Sequence, residues 1–299
     1  MLKRDNAYVI KQKLASYLGD LKSQQILIGH DNFRFIEGGP AEAECIVFLH
    51  GTLGNKSQWR GLMHLLSSQY RVIALDIPGL ALGLKKADDQ YSLTDLANYI
   101  NRFLNHKNID FSSIVGHSMG ANVACRYQAL YPQKITSLVV SSLAGWELLF
   151  DQIYWHKFSE FKQSLVFNSL TEFQQLVDSL FYQPPYMPKI LLEFRKKEVE
   201  KHRPQLFKVL DDIQKDFHLL GKDLKTLSCP TLAINGDNDV FVGQGVINRA
   251  SQLLPTVKMV NFTECGHVPF LEYPKKTHSV ISEFVYRRGA SLKRFNRPS

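Results

Sequence analysis

The chain is poor in several features that would decide its class at once. No apolar run approaches the about 18 residues that a membrane-crossing helix requires. Cysteine is scarce: four in 299 residues (Cys45, Cys125, Cys229, Cys265), widely separated and without C-x-x-C spacing. That excludes an obvious zinc ribbon or thioredoxin-type motif and fits reduced thiols in the cytoplasm. The opening Met1-Leu2-Lys3-Arg4-Asp5 leads into no apolar stretch of the signal-peptide kind, so a cytoplasmic location is expected. Internal repeats and low-complexity tracts are not visible. Neither G-x-x-x-x-G-K-[ST] nor G-x-G-x-x-G occurs, which removes the common phosphate and dinucleotide cradles. No cofactor and no metal is expected.

What is present is an ordinary globular composition, 44% apolar and 21% charged, enough for a sizeable core and a solvated surface. The charge is unusual: 36 Lys+Arg against 28 Asp+Glu, a net +8. The excess sits at the ends. Residues 1–25 hold five basic and two acidic residues, residues 285–299 five basic and no acidic ones, and the body between is formally neutral. With no basic stripe over the body, a nucleic-acid partner is not expected. Arg195-Lys196-Lys197 is a local basic spot, interleaved with Glu193, Glu198 and Glu200, and reads as a solvated helix face. In the N-terminal stretch Ala7, Ile10, Leu14, Leu18 and Leu21 recur at helical spacing beside lysines. Such a segment either packs on the core or lies, with the basic tail, on an anionic membrane as a weak peripheral contact.

Short β-branched runs at 46–49, 71–75, 113–115, 137–140, 231–234 and 257–260 read as buried parallel strands. Helical stretches near 57–68, 93–106, 119–131, 244–254 and 275–288 alternate with them, and 26–37 reads as an antiparallel hairpin ahead of them. Such alternation predicts an α/β fold, a mostly parallel central sheet flanked by helices. It breaks between 145 and 224, an aromatic-rich stretch with helical spacing divided at Gln183-Pro184-Pro185-Tyr186-Met187-Pro188. The division expected is therefore an N-terminal helical extension (1–25), a core (26–144 and 225–289), a helical cap (145–224) and a basic tail (290–299).

Chemistry concentrates at the strand ends. Gly116-His117-Ser118-Met119-Gly120 matches G-x-S-x-G between a strand and a helix, the sharp turn that exposes a nucleophilic serine. A serine hydroxyl needs a base. Ten histidines are available, and His267, in the loop Cys265-Gly266-His267-Val268-Pro269 after the last strand, fits best. His202, His218 and His278 fall in helical stretches; His50 and His117 read as turn and packing residues. A base needs an orienting acid. In Asn235-Gly236-Asp237-Asn238-Asp239 the deeper Asp239 is favoured, with Asp237 shaping the loop. For an oxyanion, Met119 N–H follows the nucleophile, and the loop His50-Gly51-Thr52-Leu53-Gly54 offers Thr52 N–H first and Leu53 N–H second. The order Ser118, Asp239, His267 is that of the α/β-hydrolase triad.

With His50-Gly51-Thr52, Asp76-Ile77-Pro78-Gly79, the serine motif, Gly236-Asp237-Asn238-Asp239 and Gly266-His267-Val268-Pro269 in place, the chain resembles the α/β-hydrolases over about residues 26–289. Within them it is similar to capped lipolytic esterases related to monoacylglycerol lipases of the Moraxella lipase type, through 170–213 and 230–272. The resemblance implies a cap inserted after the sixth strand and a small-molecule acyl ester substrate of short or medium chain. It also implies Ser118 as nucleophile, Asp239 as acid, His267 as base, and Met119 and Thr52 as oxyanion donors. It departs from the family where D-x-P-G-x-G-x-S becomes Asp76-Ile77-Pro78-Gly79-Leu80-Ala81-Leu82-Gly83, and where the second glycine after the elbow is Ala121. A thioesterase, a carrier-protein methyl esterase and a carbon–carbon hydrolase or lyase share the expected triad, and a non-catalytic ligand-binding protein shares the fold.

Overall fold

A computed structural model describes residues 21–149 and 154–295. Eight strands form one sheet in the order β1-β2-β4-β3-β5-β6-β7-β8. They are β1 (Lys22–Ile28), β2 (Asp31–Gly38), β3 (Cys45–Leu49), β4 (Arg71–Leu75), β5 (Ser112–His117), β6 (Ile135–Ser141), β7 (Thr231–Gly236) and β8 (Val257–Phe262). The first two are antiparallel; β3 to β8 pair in parallel. The hairpin starts at Lys22, so residues 22–25 belong to it and not to the N-terminal extension. Ser23 to Gln25 pair with Arg34 to Ile36, and these ladder bonds override the helical spacing ahead of them. Residues 1–20, where that spacing lies, are outside the described residues.

β3 shows why the strands read as continuous apolar runs. All five of its residues are buried. Val47 and Leu49 pack on one side with α2 (Leu93–His106) and α3 (Met119–Leu130). Ile46 and Phe48 pack on the other with Trp59, with α1 (Arg60–Leu66) and with Ile281 and Phe284 of the last helix. A strand covered on both faces has no polar side to show. Ser92 caps α2: its Oγ accepts the Asp95 N–H at 3.1 Å while Asp95 Oδ2 accepts the Ser92 N–H at 3.1 Å, a capping box.

Between β6 and β7 the chain leaves the sheet. It forms α4 (Tyr154–Ser164), α5 (Leu170–Asp178), the long α6 (Lys189–Lys215) and α7 (Phe217–Lys225), with the Pro184–Pro188 stretch ahead of α6. After β7 come α8 (Gln244–Leu253), then β8, the short α9 (Pro269–Glu272) and α10 (Pro274–Phe295). α10 runs through position 290, so the expected boundary between core and tail falls inside a helix; its 274–295 span contains no Gly or Pro cluster that would stop it earlier. Arg297 lies outside the described residues. The foot of the cap is tied to the core by polar contacts. Arg126 Nη1 on α3 donates to both Asp223 oxygens on α7 (3.0 and 3.2 Å), and Thr94 N–H and Oγ–H on α2 donate to Asp216 Oδ2 (3.1 Å each). Among the described residues no helix is long and apolar enough to cross a membrane.

The centre of the sheet is set by close backbone approach. A Cβ on Gly120 would stand 2.3 Å from the His50 carbonyl oxygen and 2.5 Å from that of Leu49. These are main-chain atoms and cannot rotate away. Gly120→Ala is therefore expected to destabilise the fold by about 1–3 kcal/mol, the range of overpacked sites, read as a lower urea midpoint. A wild-type midpoint would contradict this packing.

Candidate active site

Four parallel strands, β3, β5, β7 and β8, end at the same edge, where open α/β sheets hold their ligands. The loops after them carry the residues singled out in the sequence. Ser118 follows β5 with φ 51° and ψ −119°, off the regions a side chain prefers. Its N–H donates to the Ser141 carbonyl (2.9 Å), and its own carbonyl accepts from Ala121 N–H (2.9 Å). A Cβ on Gly116 would meet the Ala121 backbone at 2.6 Å, so the first motif glycine lets helix and strand close on each other.

His267 and Asp239 come together across 28 positions of sequence. His267 Nδ1–H donates to Asp239 Oδ2 at 2.8 Å. The carboxylate only accepts, so Nδ1 carries the hydrogen of this bond. Asp239 Oδ1 accepts from Phe241 N–H (2.9 Å) and Val242 N–H (3.2 Å). Asp239 is 3% exposed. Burial alone would push its carboxyl up, but His267 and the two N–H groups outweigh it and hold it below the ordinary range. Asp237 is turned elsewhere: its Oδ1 accepts from Cys265 N–H at 3.3 Å and so joins the two loops.

Two other histidines lie close by. His117 is buried, its ring 4.9 Å from that of His267, and its Nδ1–H donates to the Ser141 carbonyl at 3.2 Å. Burial, then the neighbouring His267, pushes its pKa well down, so the ring stays neutral. His50 is buried too, and burial also lowers its pKa. Its Nδ1–H donates to Gly51 O (2.8 Å) and its Nε2 accepts from Ile77 N–H (2.9 Å). Both nitrogens are occupied, so His50 serves as a bracket for the loop that follows.

That loop is a tight turn. Gly54 N–H donates to Gly51 O at 3.1 Å, and Leu53, between them, has φ 61°. Positive φ at the third residue is the type II arrangement, normally given to glycine; a left-handed non-glycine residue costs about 1–2 kcal/mol. Leu53 O accepts from Arg195 Nη2 on α6 at 2.9 Å. A Cβ on Gly51 would stand 3.0 Å from that of Ser118, so the turn lies directly against the Ser118 elbow.

Thr52, Leu53, Ser118, Met119 and His267 all line one cavity of about 780 Å³, and Asp239 stands behind His267. The far wall is apolar and comes from the cap: Phe158, Phe161, Leu165, Phe167, Phe173, Leu176 and Met187 among others. The Asp76–Gly83 loop, where the family pattern is lost, contributes nothing to the lining. Instead Gly79 packs under Val209 of α6, and Asp76 accepts from Lys56 N–H (2.7 Å) and Lys56 Nζ (2.9 Å). Among the described residues no cluster of His, Cys, Asp and Glu could hold a metal ion.

Several contributors were not read from the sequence. Its charged neighbours in sequence suggest a solvated face for Arg195, yet it lines the cavity. Leu192, Arg195 and Val199 recur at i, i+3 and i+7, and Leu192 and Val199 are buried, so helical periodicity turns Arg195 inward while Lys197 stays exposed. Glu272 Oε1 accepts from Gly266 N–H at 2.7 Å. The cap's Leu180 carbonyl accepts from His267 N–H at 2.8 Å, and a Cβ on Gly266 would sit 2.8 Å from the Leu180–Tyr182 backbone. Main-chain contacts of this kind leave no signature in a single sequence.

The comparisons agree with this architecture. The chain is similar to Lipase 3 of Moraxella sp. (strain TA144), 26% identical over 91% of this chain and 88% of that one. It is similar to Lipase 1 of Psychrobacter immobilis, 26% identical over 85% of this chain and 80% of that one. A solved membrane phospholipase A superposes with a TM-score of 0.81 over 95% of this chain and 92% of that chain, at 23% identity, a likeness of fold alone. The model of the alpha/beta hydrolase fold family matches residues 44–274. The chain, with its mostly parallel sheet and a helical cap after the sixth strand, belongs to that family.

Proposed function

We propose that the protein is a serine hydrolase of carboxylic esters, acting on short- or medium-chain acyl esters such as monoacylglycerols. One observation carries this reading: Ser118, on a strained elbow, and the His267–Asp239 pair open into one cavity whose other wall is apolar. About 780 Å³ falls within the range of small-ligand sites. Both similar relatives are named lipases.

In this mechanism His267 Nε2 takes the Ser118 proton as Oγ attacks the ester carbonyl. The tetrahedral oxyanion forms between Met119 N–H and the Thr52–Leu53 turn. His267 returns the proton to the leaving alcohol, and the acyl-enzyme remains. Water, deprotonated by the same ring, then releases the acid. Asp239 stays ionised and fixes the imidazole orientation; its depressed pKa suits that task.

A fluorophosphonate probe should label the wild-type protein at one site and leave Ser118→Ala unlabelled, with kcat on p-nitrophenyl esters reduced about 10⁶-fold. An unlabelled wild-type protein would overturn the reading. Steady-state kinetics should separate the two loop aspartates. Asp239→Asn is expected to lower kcat about 10⁴-fold, whereas Asp237→Asn, which loses only a loop contact, should stay within about tenfold. Leu176→Trp, which fills the apolar wall, should shift the preferred acyl chain to shorter lengths in an ester series. Thioester and carbon–carbon substrates run beside these esters test the neighbouring chemistries of the fold.

A further inference from the structure

Arg195 is an odd residue for its place. It stands in a cavity with a largely apolar wall, which Lys157, Glu160 and Glu172 also line. Among the described residues it makes no ion pair, and its one hydrogen bond runs to the backbone, Nη2 to Leu53 O at 2.9 Å. Burial lowers its pKa, with only Glu198, one turn along the same helix, opposing. A half-buried cation that makes no ion pair gains little from its surroundings beyond this one hydrogen bond, which directs attention to what the bond holds.

Its one partner supplies that role. Gly51–Gly54 is a type II turn with leucine where glycine is preferred. The ordinary alternative, a type I turn, needs negative φ at Leu53 and turns the Thr52–Leu53 peptide over, so that the Leu53 N–H, the second of the two candidate donors, points to the opposite side. The strained form therefore needs holding at both ends. His50 Nδ1–H holds Gly51 O from the core, at 2.8 Å. Arg195 holds Leu53 O from the cap. We propose that Arg195 is a positioning residue that locks the Thr52–Leu53 turn in the conformation that receives the oxyanion, making the cap part of the oxyanion hole. The inference rests on the serine-hydrolase reading.

The test uses the full chain and four proteins: wild type, Arg195→Met, Arg195→Lys and the double variant Arg195→Met/Leu53→Gly. Labelling of wild-type Ser118 by a fluorophosphonate is measured first; its failure refutes the hydrolase reading and not the lock. With labelling present, Arg195→Met should lower kcat on a neutral p-nitrophenyl ester by about 10- to 100-fold, up to the loss of one oxyanion donor, while KM changes less than about threefold, because Met keeps an unbranched apolar stem in the cavity wall. Arg195→Lys, which keeps one donor, should recover part of kcat. Leu53→Gly removes the strain that Arg195 offsets, so the double variant should regain at least about tenfold in kcat over Arg195→Met. Purely structural damage would leave the double variant no better than Arg195→Met, and that result overturns the proposal. So does a KM increase confined to esters bearing a carboxylate, with kcat unchanged, since Arg195 would then be an anion subsite.

Discussion

The backbone at Ser118 is the constraint on which the rest of the structure depends. A serine at φ 51° and ψ −119° sits in a conformation that costs on the order of 1–3 kcal/mol and persists only where its surroundings over-determine it. Those surroundings can be named. The N–H is held by β6 and the carbonyl by α3. Gly116 and Gly120 bring the helix against β5 and β3 more closely than any Cβ would permit. The same approach delivers Gly51, and with it the Thr52–Leu53 turn, to the side of Ser118. Strand order does the remaining work by ending β7 and β8 at the same edge.

Core and cap divide the site unevenly. The core carries Ser118, His267, Asp239 and the Gly51–Gly54 turn. The cap supplies the apolar wall together with polar contacts that include Leu180 O to His267 N–H, Arg195 to Leu53 O and Tyr182 N–H to Glu272 Oε2. Its foot is fixed by charge and hydroxyl contacts to α2 and α3. The cap is thus bonded to the core at its base and at the loops that carry His267 and Leu53.

Much of this was legible from residue order alone. The buried strands announced themselves because both faces of the sheet are covered, and the helices because they alternate with those strands. The serine, histidine and aspartate stood out because each follows a strand in a loop carrying glycine. What stayed hidden had a common physical cause. The start of β1 is fixed by ladder bonds to β2, which nothing in Lys22–Gln25 foretells. The left-handed Leu53 violates the usual residue preference, so no local rule selects it. Arg195 was masked by the charged residues beside it, although its spacing from Leu192 and Val199 held the answer.

The contact between Gly266 and the cap backbone reaches beyond this one chain. Because the loop bearing His267 is seated on Leu180–Tyr182 by main-chain atoms, the cap is not an interchangeable module. A cap grafted from a relative would have to reproduce a backbone path, with its carbonyl in register, before any choice of pocket side chains mattered. Divergence of substrate preference in such a scaffold is accordingly freer through side-chain replacement on α4, α5 and the inner face of α6 than through insertion or deletion near residue 180.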